Sequence, residues 1–190
     1  MQELLTEIAE TAAANPDKGN VATYIPELAG IDPNQFGIAV ALADGRVFTA
    51  GNADVPFSIQ SVSKIFALAL ALGRVGDQLW YRVGREPSGL SFDSILLLER
   101  EDGIPRNPFI NAGALVTTDT YLAGSTPREA LGELLRFIRA ACDDDSIHMN
   151  EKVAKSELAT GHRNFSLAHY LASYGNLRAS VDKVLGTYCH

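Results

Sequence analysis

The sequence has few cysteines, little charge and no long apolar run, and each shortage excludes a class of protein. Cys142 and Cys189 are its only two cysteines, too few for a disulfide framework, which indicates a reducing compartment. Charged residues make up only 21% of the 190 residues and hydrophobic residues 46%, which excludes a disordered chain. The longest apolar run, from Ile65 to Leu72, is too short to span a bilayer.

Basic residues are also in the minority. The 16 Lys and Arg against 23 Asp and Glu give a formal charge of −7, and the basic residues form no stripe. We therefore expect no nucleic-acid partner. The first seven residues lack the basic and apolar regions of a signal peptide. Together these features predict a cytoplasmic protein with neither nucleic-acid nor membrane partners.

The chain shows no internal repeat or long linker, so we expect one domain over residues 1–190. Apolar residues at helical spacing predict a helix over 2–14. The Asp44-Gly45 pair between the apolar runs 36–43 and 46–50 is a strong hairpin signal.

From Ser61 onward the pattern is helical. Residues 65–72 are apolar on every side and predict a buried central helix. Further helices are predicted over 111–122, 127–141, 150–160, 165–174 and 180–188. This order favours an α+β fold, in which a helical cluster around a buried central helix is segregated from an antiparallel sheet.

The start of that central helix carries the first chemical signal. Ser61 and Lys64 are three residues apart, and this spacing places their side chains on one helix face. A serine hydroxyl needs an adjacent base to act as a nucleophile, and apolar surroundings favour the neutral form of a lysine. The helix N-terminus also supplies N–H groups for an oxyanion.

The same spacing occurs a second time, at Ser180 and Lys183, so spacing alone is a weak signal. The second copy is explained as well by an N-cap serine and an exposed lysine on a surface helix. Ser61 could likewise be only an N-cap residue. What favours Ser61 as a nucleophile is its context, after predicted strands and before an apolar helix.

Four segments then resemble the glutaminase family, the L-glutamine amidohydrolases of serine β-lactamase-like fold. They are residues 21–29, 57–66, 86–89 and 107–114, with the sequences VATYIPELA, FSIQSVSKIF, EPSG and NPFINAGA. The resemblance runs in order from about residue 20 to the last residue. It departs at Leu90 to Asp93, where the family pattern has a proline and an asparagine.

The resemblance implies hydrolysis of L-glutamine to L-glutamate and ammonia through an acyl-serine, with Ser61 as nucleophile and Lys64 as general base. It implies that the backbone N–H of Ser61 is one oxyanion donor. Residues implied to bind substrate or line the site are Asn111, Glu157, Asn164, Tyr188, Tyr24 and Gln60. Among them, Glu157 is a natural partner for an α-ammonium group, and Tyr188 is placed near the nucleophile.

Each of these residues also has a purely structural alternative. Asn111 and Asn164 could be N-cap residues, and Glu157 a solvated charge on a helix face. Tyr188 could be an ordinary half-buried tyrosine, and Tyr24 could fasten the N-terminal segment to the core.

We expect no metal and no organic cofactor. The histidines show no metal-ligand spacing, and residues 143–145 lack the glycine and alternation of an EF-hand. Amide hydrolysis through an acyl-serine needs neither group. The resemblance further implies a homo-oligomer, a dimer or a tetramer.

The family pattern continues for about another third of its length beyond the tyrosine matched by Tyr188. The resemblance assigns to that part a further tyrosine, a second oxyanion donor and the remaining strands. We therefore expect an incomplete glutaminase domain. The alternatives are a non-catalytic fragment and a penicillin-recognising serine hydrolase, although the chain lacks the Ser-Asp-Asn motif of the latter.

Overall fold

A computed structural model describes all residues from Met1 to His190. The chain forms two compact units, Met1–Ser58 and Ile59–His190. The expectation of a single domain over residues 1–190 stays a prediction.

The first unit is a helix packed on a β-hairpin. Helix α1 spans Gln2–Ala14 and strands β1 and β2 span Gly37–Ala41 and Val47–Gly51. The strands pair antiparallel, and Gly45 in the connecting turn has a φ of +87°, which glycine adopts without strain. The predicted helix and hairpin are both confirmed. Alternate strand residues are half-buried, and Leu5 of α1 is fully buried.

The second unit is helical, and all the helices predicted in it are confirmed. Their bounds are α2 Ser63–Val75, α3 Leu96–Arg100, α4 Asn111–Leu122, α5 Pro127–Cys142, α6 Glu151–Thr160, α7 His162–Ser173 and α8 Val181–Tyr188. Two 3₁₀ segments of this unit occur at Gln60–Val62 and Gly76–Tyr81, and a third, Pro26–Leu28, lies in the first unit. The short helix α3 was not predicted. None of the helices combines the length and apolar character needed to cross a membrane.

The fully buried helix is α4, not α2. Every residue of α4 from Ala112 to Leu122 is buried, and α2, α5, α7 and α8 pack around it. In α2, Ile65 is 57% exposed, so the prediction that residues 65–72 form the buried centre is wrong. The sequence did not indicate the burial of α4, because threonine is mostly an exposed residue. Thr117 and Thr120 donate their hydroxyls to carbonyls of the preceding turn and so tolerate burial.

A buried ion pair fastens α4 to its neighbours. The carboxylate of Asp119, which is inaccessible to solvent, lies 2.5 Å from the Arg82 guanidinium and accepts the N–H groups of Arg178 and Ala179. Asn176 completes the network, because its amide donates to the Arg82 and Gly103 carbonyls. All these polar groups are satisfied, as burial requires.

Candidate functional site

The residue predicted as nucleophile lies in a tight turn just before α2. Ser61 is exposed and occupies the middle of the 3₁₀ segment Gln60–Val62. Val62, rather than Ser61, is the N-cap residue of α2, and no side chain caps this helix. The alternative that Ser61 is only the N-cap of α2 is therefore wrong. Gln60 has a φ of +45°, an unusual backbone conformation for a residue other than glycine.

Lys64, in the first turn of α2, is the most unusual residue of the site. It is only 4% exposed, and its Nζ donates to the Phe109 carbonyl at 3.1 Å and to Asn111 Oδ1 at 2.7 Å. Burial lowers the pKa of Lys64 to about 8, while the negative charge of Glu157 partly opposes this shift. A large fraction of Lys64 is therefore a neutral amine near pH 8.

Two asparagines extend this contact into a chain of hydrogen bonds. Asn111 is the first residue of α4, and its Nδ2 donates to Asn164 Oδ1 at 3.0 Å. Asn164, on α7, is 9% exposed. The N-cap residues of these helices are Ile110 and Gly161, so the alternative that Asn111 and Asn164 serve as N-caps is wrong. Lys64, Asn111 and Asn164 thus form one connected polar cluster.

Glu157 belongs to the same neighbourhood through its charge. It lies on α6, is half-buried, and burial raises the pKa of its carboxyl while the charge of Lys64 lowers it. Half-burial disagrees with the alternative of a solvated charge on a helix face. The gap between the helices predicted over 150–160 and 165–174 is confirmed, since α6 ends at Thr160 and α7 begins at His162.

The two tyrosines lie in different units. Tyr188 is the last residue of α8 and packs, half-buried, against the hydrophobic core. Its neighbour Cys189 is buried, and burial together with the charge of Glu157 raises the pKa of this thiol to about 12. Tyr24 belongs to the unit Met1–Ser58 and is 73% exposed. Tyr24 does not fasten its segment to a core, because the neighbouring Ile25 is the buried residue.

The second Ser-x-x-Lys copy provides a contrast inside the same chain. Ser180 is the N-cap residue of α8 and Lys183 is exposed, as the structural alternative for this copy predicted. Identical spacing therefore produces one buried lysine with polar partners and one solvated lysine. The burial of Lys64 is what distinguishes the candidate site.

Sequence reasoning missed the residues that surround Lys64. The Phe92 ring centroid lies 5.8 Å from Lys64 Nζ, and the Phe92 carbonyl accepts the Asn111 N–H at 2.8 Å. The Phe109 carbonyl, an acceptor for Lys64, belongs to the NPFINAGA segment, from which only Asn111 was assigned a role. Every residue has a backbone carbonyl, so the sequence could not show that the carbonyl of Phe109 accepts a hydrogen bond from Lys64.

Two clefts of the molecule lie away from Ser61 and Lys64. Two open concavities of about 500 and 350 Å³ flank the turn before α4, and neither is lined by Ser61 or Lys64. The described chain also contains no group of three or more His, Cys, Asp or Glu side chains that could hold a metal ion. The candidate site is therefore defined by its polar cluster rather than by either of these two clefts.

This arrangement has the components of an acyl-transfer site. An exposed serine hydroxyl precedes a helix whose first turn carries a buried, partly neutral lysine, which is a usable general base. The amides of Asn111 and Asn164 and the carboxylate of Glu157 add hydrogen-bonding groups and one negative charge to the same cluster.

Comparisons with known proteins point to one family. The family profile described as Glutaminase matches residues 19–190. The glutaminases of Rhizobium rhizogenes and Agrobacterium fabrum are 57% and 58% identical over all 190 residues of this chain. The chain spans 62% of the length of each of these curated relatives.

Solved structures match the backbone closely. A crystal structure of Mglu in its tris and glutamate form superposes with a TM-score of 0.90 at 35% identity, over 100% of this chain and 42% of that one. A probable glutaminase, ybaS, also gives 0.90 at 30% identity, over 99% of this chain and 60% of that one. The α+β, serine β-lactamase-like fold class is thereby confirmed. With a family profile that covers nearly all of its length, the chain belongs to the glutaminase family.

Proposed function

We propose that this chain hydrolyses L-glutamine to L-glutamate and ammonia through an acyl-serine, with Ser61 as nucleophile and Lys64 as general base. The observation that carries the proposal is the burial of Lys64 beside Asn111, which leaves much of the amine neutral near pH 8. Family membership favours glutamine over a β-lactam as the substrate.

The reaction begins when Ser61 Oγ attacks the side-chain amide carbon of glutamine and Lys64 Nζ accepts the hydroxyl proton. The tetrahedral intermediate collapses when the C–N bond breaks and Lys64 returns that proton to the leaving nitrogen, which departs as ammonia. Water then attacks the acyl-serine while Lys64 Nζ accepts a proton from it, and Lys64 passes that proton to Ser61 Oγ as glutamate leaves. One water is consumed, and the enzyme returns to its starting state.

Substrate recognition uses the polar cluster. L-Glutamine carries an α-carboxylate and an α-ammonium group, and Glu157 offers a carboxylate for the ammonium. Asn111 and Asn164 have amides that can donate to and accept from the substrate once their mutual hydrogen bond rearranges. Mglu, 35% identical to this chain, has been crystallised in a glutamate form, which supports glutamate as a product ligand of this family.

Further parts of the proposal rest on the resemblance and on the sequence pattern. Tyr188 contributes a phenol near the nucleophile, the Ser61 backbone N–H is one oxyanion donor, and Tyr24 and Gln60 line the substrate site. The protein acts in the cytoplasm as a homo-oligomer, its residues 1–190 belong to one domain, and it needs no cofactor.

A second candidate is a non-catalytic fragment of such an enzyme. The observation that favours it is that the chain spans 62% of its relatives' length. The resemblance assigns one oxyanion donor to the part of the family pattern beyond Tyr188, and loss of one such donor typically costs ~10²–10³ in rate.

Ammonia release from L-glutamine, followed by intact chain mass, tests the proposal. The variants are Ser61→Ala and the matched control Ser180→Ala, which removes the serine of the second Ser-x-x-Lys copy. We expect the control to match the unmodified chain and Ser61→Ala to release no ammonia above background. A folded unmodified chain that releases no ammonia and carries no acyl group on Ser61 supports the second candidate. Equal release by all three proteins would refute Ser61 as the nucleophile.

A further inference from the structure

The turn before α4 is held by one side chain. Asn107 Oδ1 accepts the backbone N–H groups of Phe109 at 3.0 Å and Ile110 at 3.1 Å, and its Nδ2 donates to the Glu86 carbonyl at 2.8 Å. An asparagine that accepts from the residue two positions ahead forms an Asx turn, which fixes the backbone of the intervening residues. Asn107 therefore fixes the peptide groups on both sides of Phe109.

The backbone of the same turn lies in close contact with α4. A Cβ added to Gly113 would lie 1.9 Å from the Asn107 carbonyl oxygen and 2.9 Å from Pro108 Cα, so only glycine permits this approach. The hydrogen bonds of the Asn107 side chain and the close backbone contact with Gly113 thus fix the position of the turn.

This turn supplies an acceptor to Lys64. A charged lysine has three N–H donors, and here two of them are taken by the Phe109 carbonyl and Asn111 Oδ1. A neutral amine keeps two N–H groups and has one lone pair. When the two acceptors hold the two remaining N–H groups, the lone pair occupies the third direction, and the acceptors determine where the base takes up a proton.

We propose that Asn107 is a positioning residue for the reaction, because its side chain holds the Phe109 carbonyl against the Lys64 amino group. This inference rests on the proposed function, in which Lys64 is the base. Asn107 itself touches neither Lys64 nor the reacting atoms in this assignment; it acts through the Phe109 carbonyl.

Loss of the Asn107 side chain should change the pKa of Lys64 in one direction. An acceptor favours the charged form of an amine, so release of the Phe109 carbonyl lowers the pKa of Lys64 further. The other charged group that acts on Lys64 is Glu157 on α6, which raises this pKa, and the charge of Glu157 also acts on the thiol of Cys189, the residue after α8. Neither is altered by Asn107→Ala. One hydrogen bond to a charged group corresponds to a fall of about one pKa unit.

Competitive acetylation with acetic anhydride at a series of pH values measures this directly, without any catalytic turnover. Peptide masses report the labelling of each lysine, and the exposed Lys152, Lys155 and Lys183 serve as internal references. We expect Lys64 to titrate near pH 8 in the unmodified chain and about one unit lower in Asn107→Ala.

Asn176→Ala is the matched control. Asn176 also fastens backbone carbonyls with its side chain, those of Arg82 and Gly103, but it has no hydrogen bond to the turn before α4. We expect this variant to lose stability and to leave the pKa of Lys64 unchanged. Asn107→Asp keeps the acceptor oxygen and adds a negative charge, so its Lys64 should titrate at or above the wild-type value.

Three results would overturn the inference. The first is a Lys64 pKa that stays constant or rises in Asn107→Ala, and the second is an equal fall of this pKa in Asn176→Ala. The third is a fall of the Lys64 pKa in Asn107→Asp, which can be measured even if Asn107→Ala does not fold. A Lys64 that titrates near its ordinary pKa of about 10.4 in the unmodified chain would instead overturn the proposed function and this inference with it. Failure of the positioning role of Asn107 is therefore distinguishable from failure of the proposed function.

Discussion

Replacing Gly113 by alanine tests whether the turn before α4 is held as tightly as its contacts indicate. Gly113 lies in the first turn of α4, and the added Cβ would meet the Asn107 carbonyl oxygen at 1.9 Å. An ordinary contact needs at least 3.4 Å, so the turn must move by about 1.5 Å. All three nearest atoms belong to backbone, which cannot swing aside as a flexible side chain can.

The expected magnitude follows from two opposing effects. Overpacking of this kind costs up to about 3 kcal/mol, because three hydrogen bonds from Asn107 resist the movement. Alanine is favoured over glycine inside a helix by about 1 kcal/mol. Gly113→Ala should therefore lower the free energy of unfolding by about 2 kcal/mol. Gly73→Ala, in α2 with no atom within 4 Å of the added Cβ, should raise it by up to about 1 kcal/mol.

Urea unfolding followed by circular dichroism measures both variants against the unmodified chain. The account predicts free energies of unfolding that differ by about 3 kcal/mol between Gly113→Ala and Gly73→Ala. Acetylation of Lys64 should also change in Gly113→Ala alone, because the displaced turn carries the Phe109 carbonyl with it. Equal stability of the two variants would refute the reasoning that the turn is clamped against α4.

Two further predictions concern charge. Arg82→Ala leaves the buried Asp119 carboxylate without its ion-pair partner and should cost about 3–5 kcal/mol in urea unfolding, whereas Arg163→Ala, whose pair with Asp93 is exposed, should cost less than about 1 kcal/mol. Similar losses for both variants would contradict this contrast. Between pH 8 and about 10.4 the folded Lys64 is neutral while the unfolded lysine is charged, so the stability of the chain relative to Lys64→Met should rise with pH over that interval. A difference that stays constant with pH would show that burial does not shift this lysine.

Much of the fold was predictable because its signals are local. The hairpin is specified by Asp44-Gly45 between apolar runs, and α5 by Thr126, Pro127 and Glu129, which form a capping box with proline in the first turn. The centre of the molecule was not predictable in the same way. Thr117 and Thr120 resemble surface residues in a sequence, and only the carbonyls of their own helix make their burial possible.

In the candidate site, too, the local signals were predictable and the long-range contacts were not. Ser61 and Lys64 stand out by spacing, but so do Ser180 and Lys183, and nothing local to the sequence shows which lysine is buried. Burial of Lys64 depends on α4 and on the turn before it, 45 residues further along the chain. The asparagine contacts join α2, α4 and α7, so they exist only once the helices have packed.

The central claim is that Ser61 is activated by Lys64, and one measurement tests it most directly. The chain is exposed to the glutamine analogue 6-diazo-5-oxo-L-norleucine, and intact mass is recorded for the unmodified chain, Ser61→Ala, Lys64→Met and Ser180→Ala, with circular dichroism to verify folding. The account predicts one covalent adduct on the unmodified chain and on Ser180→Ala, and none on the other two. Equal labelling of Ser61→Ala and the unmodified chain would contradict it.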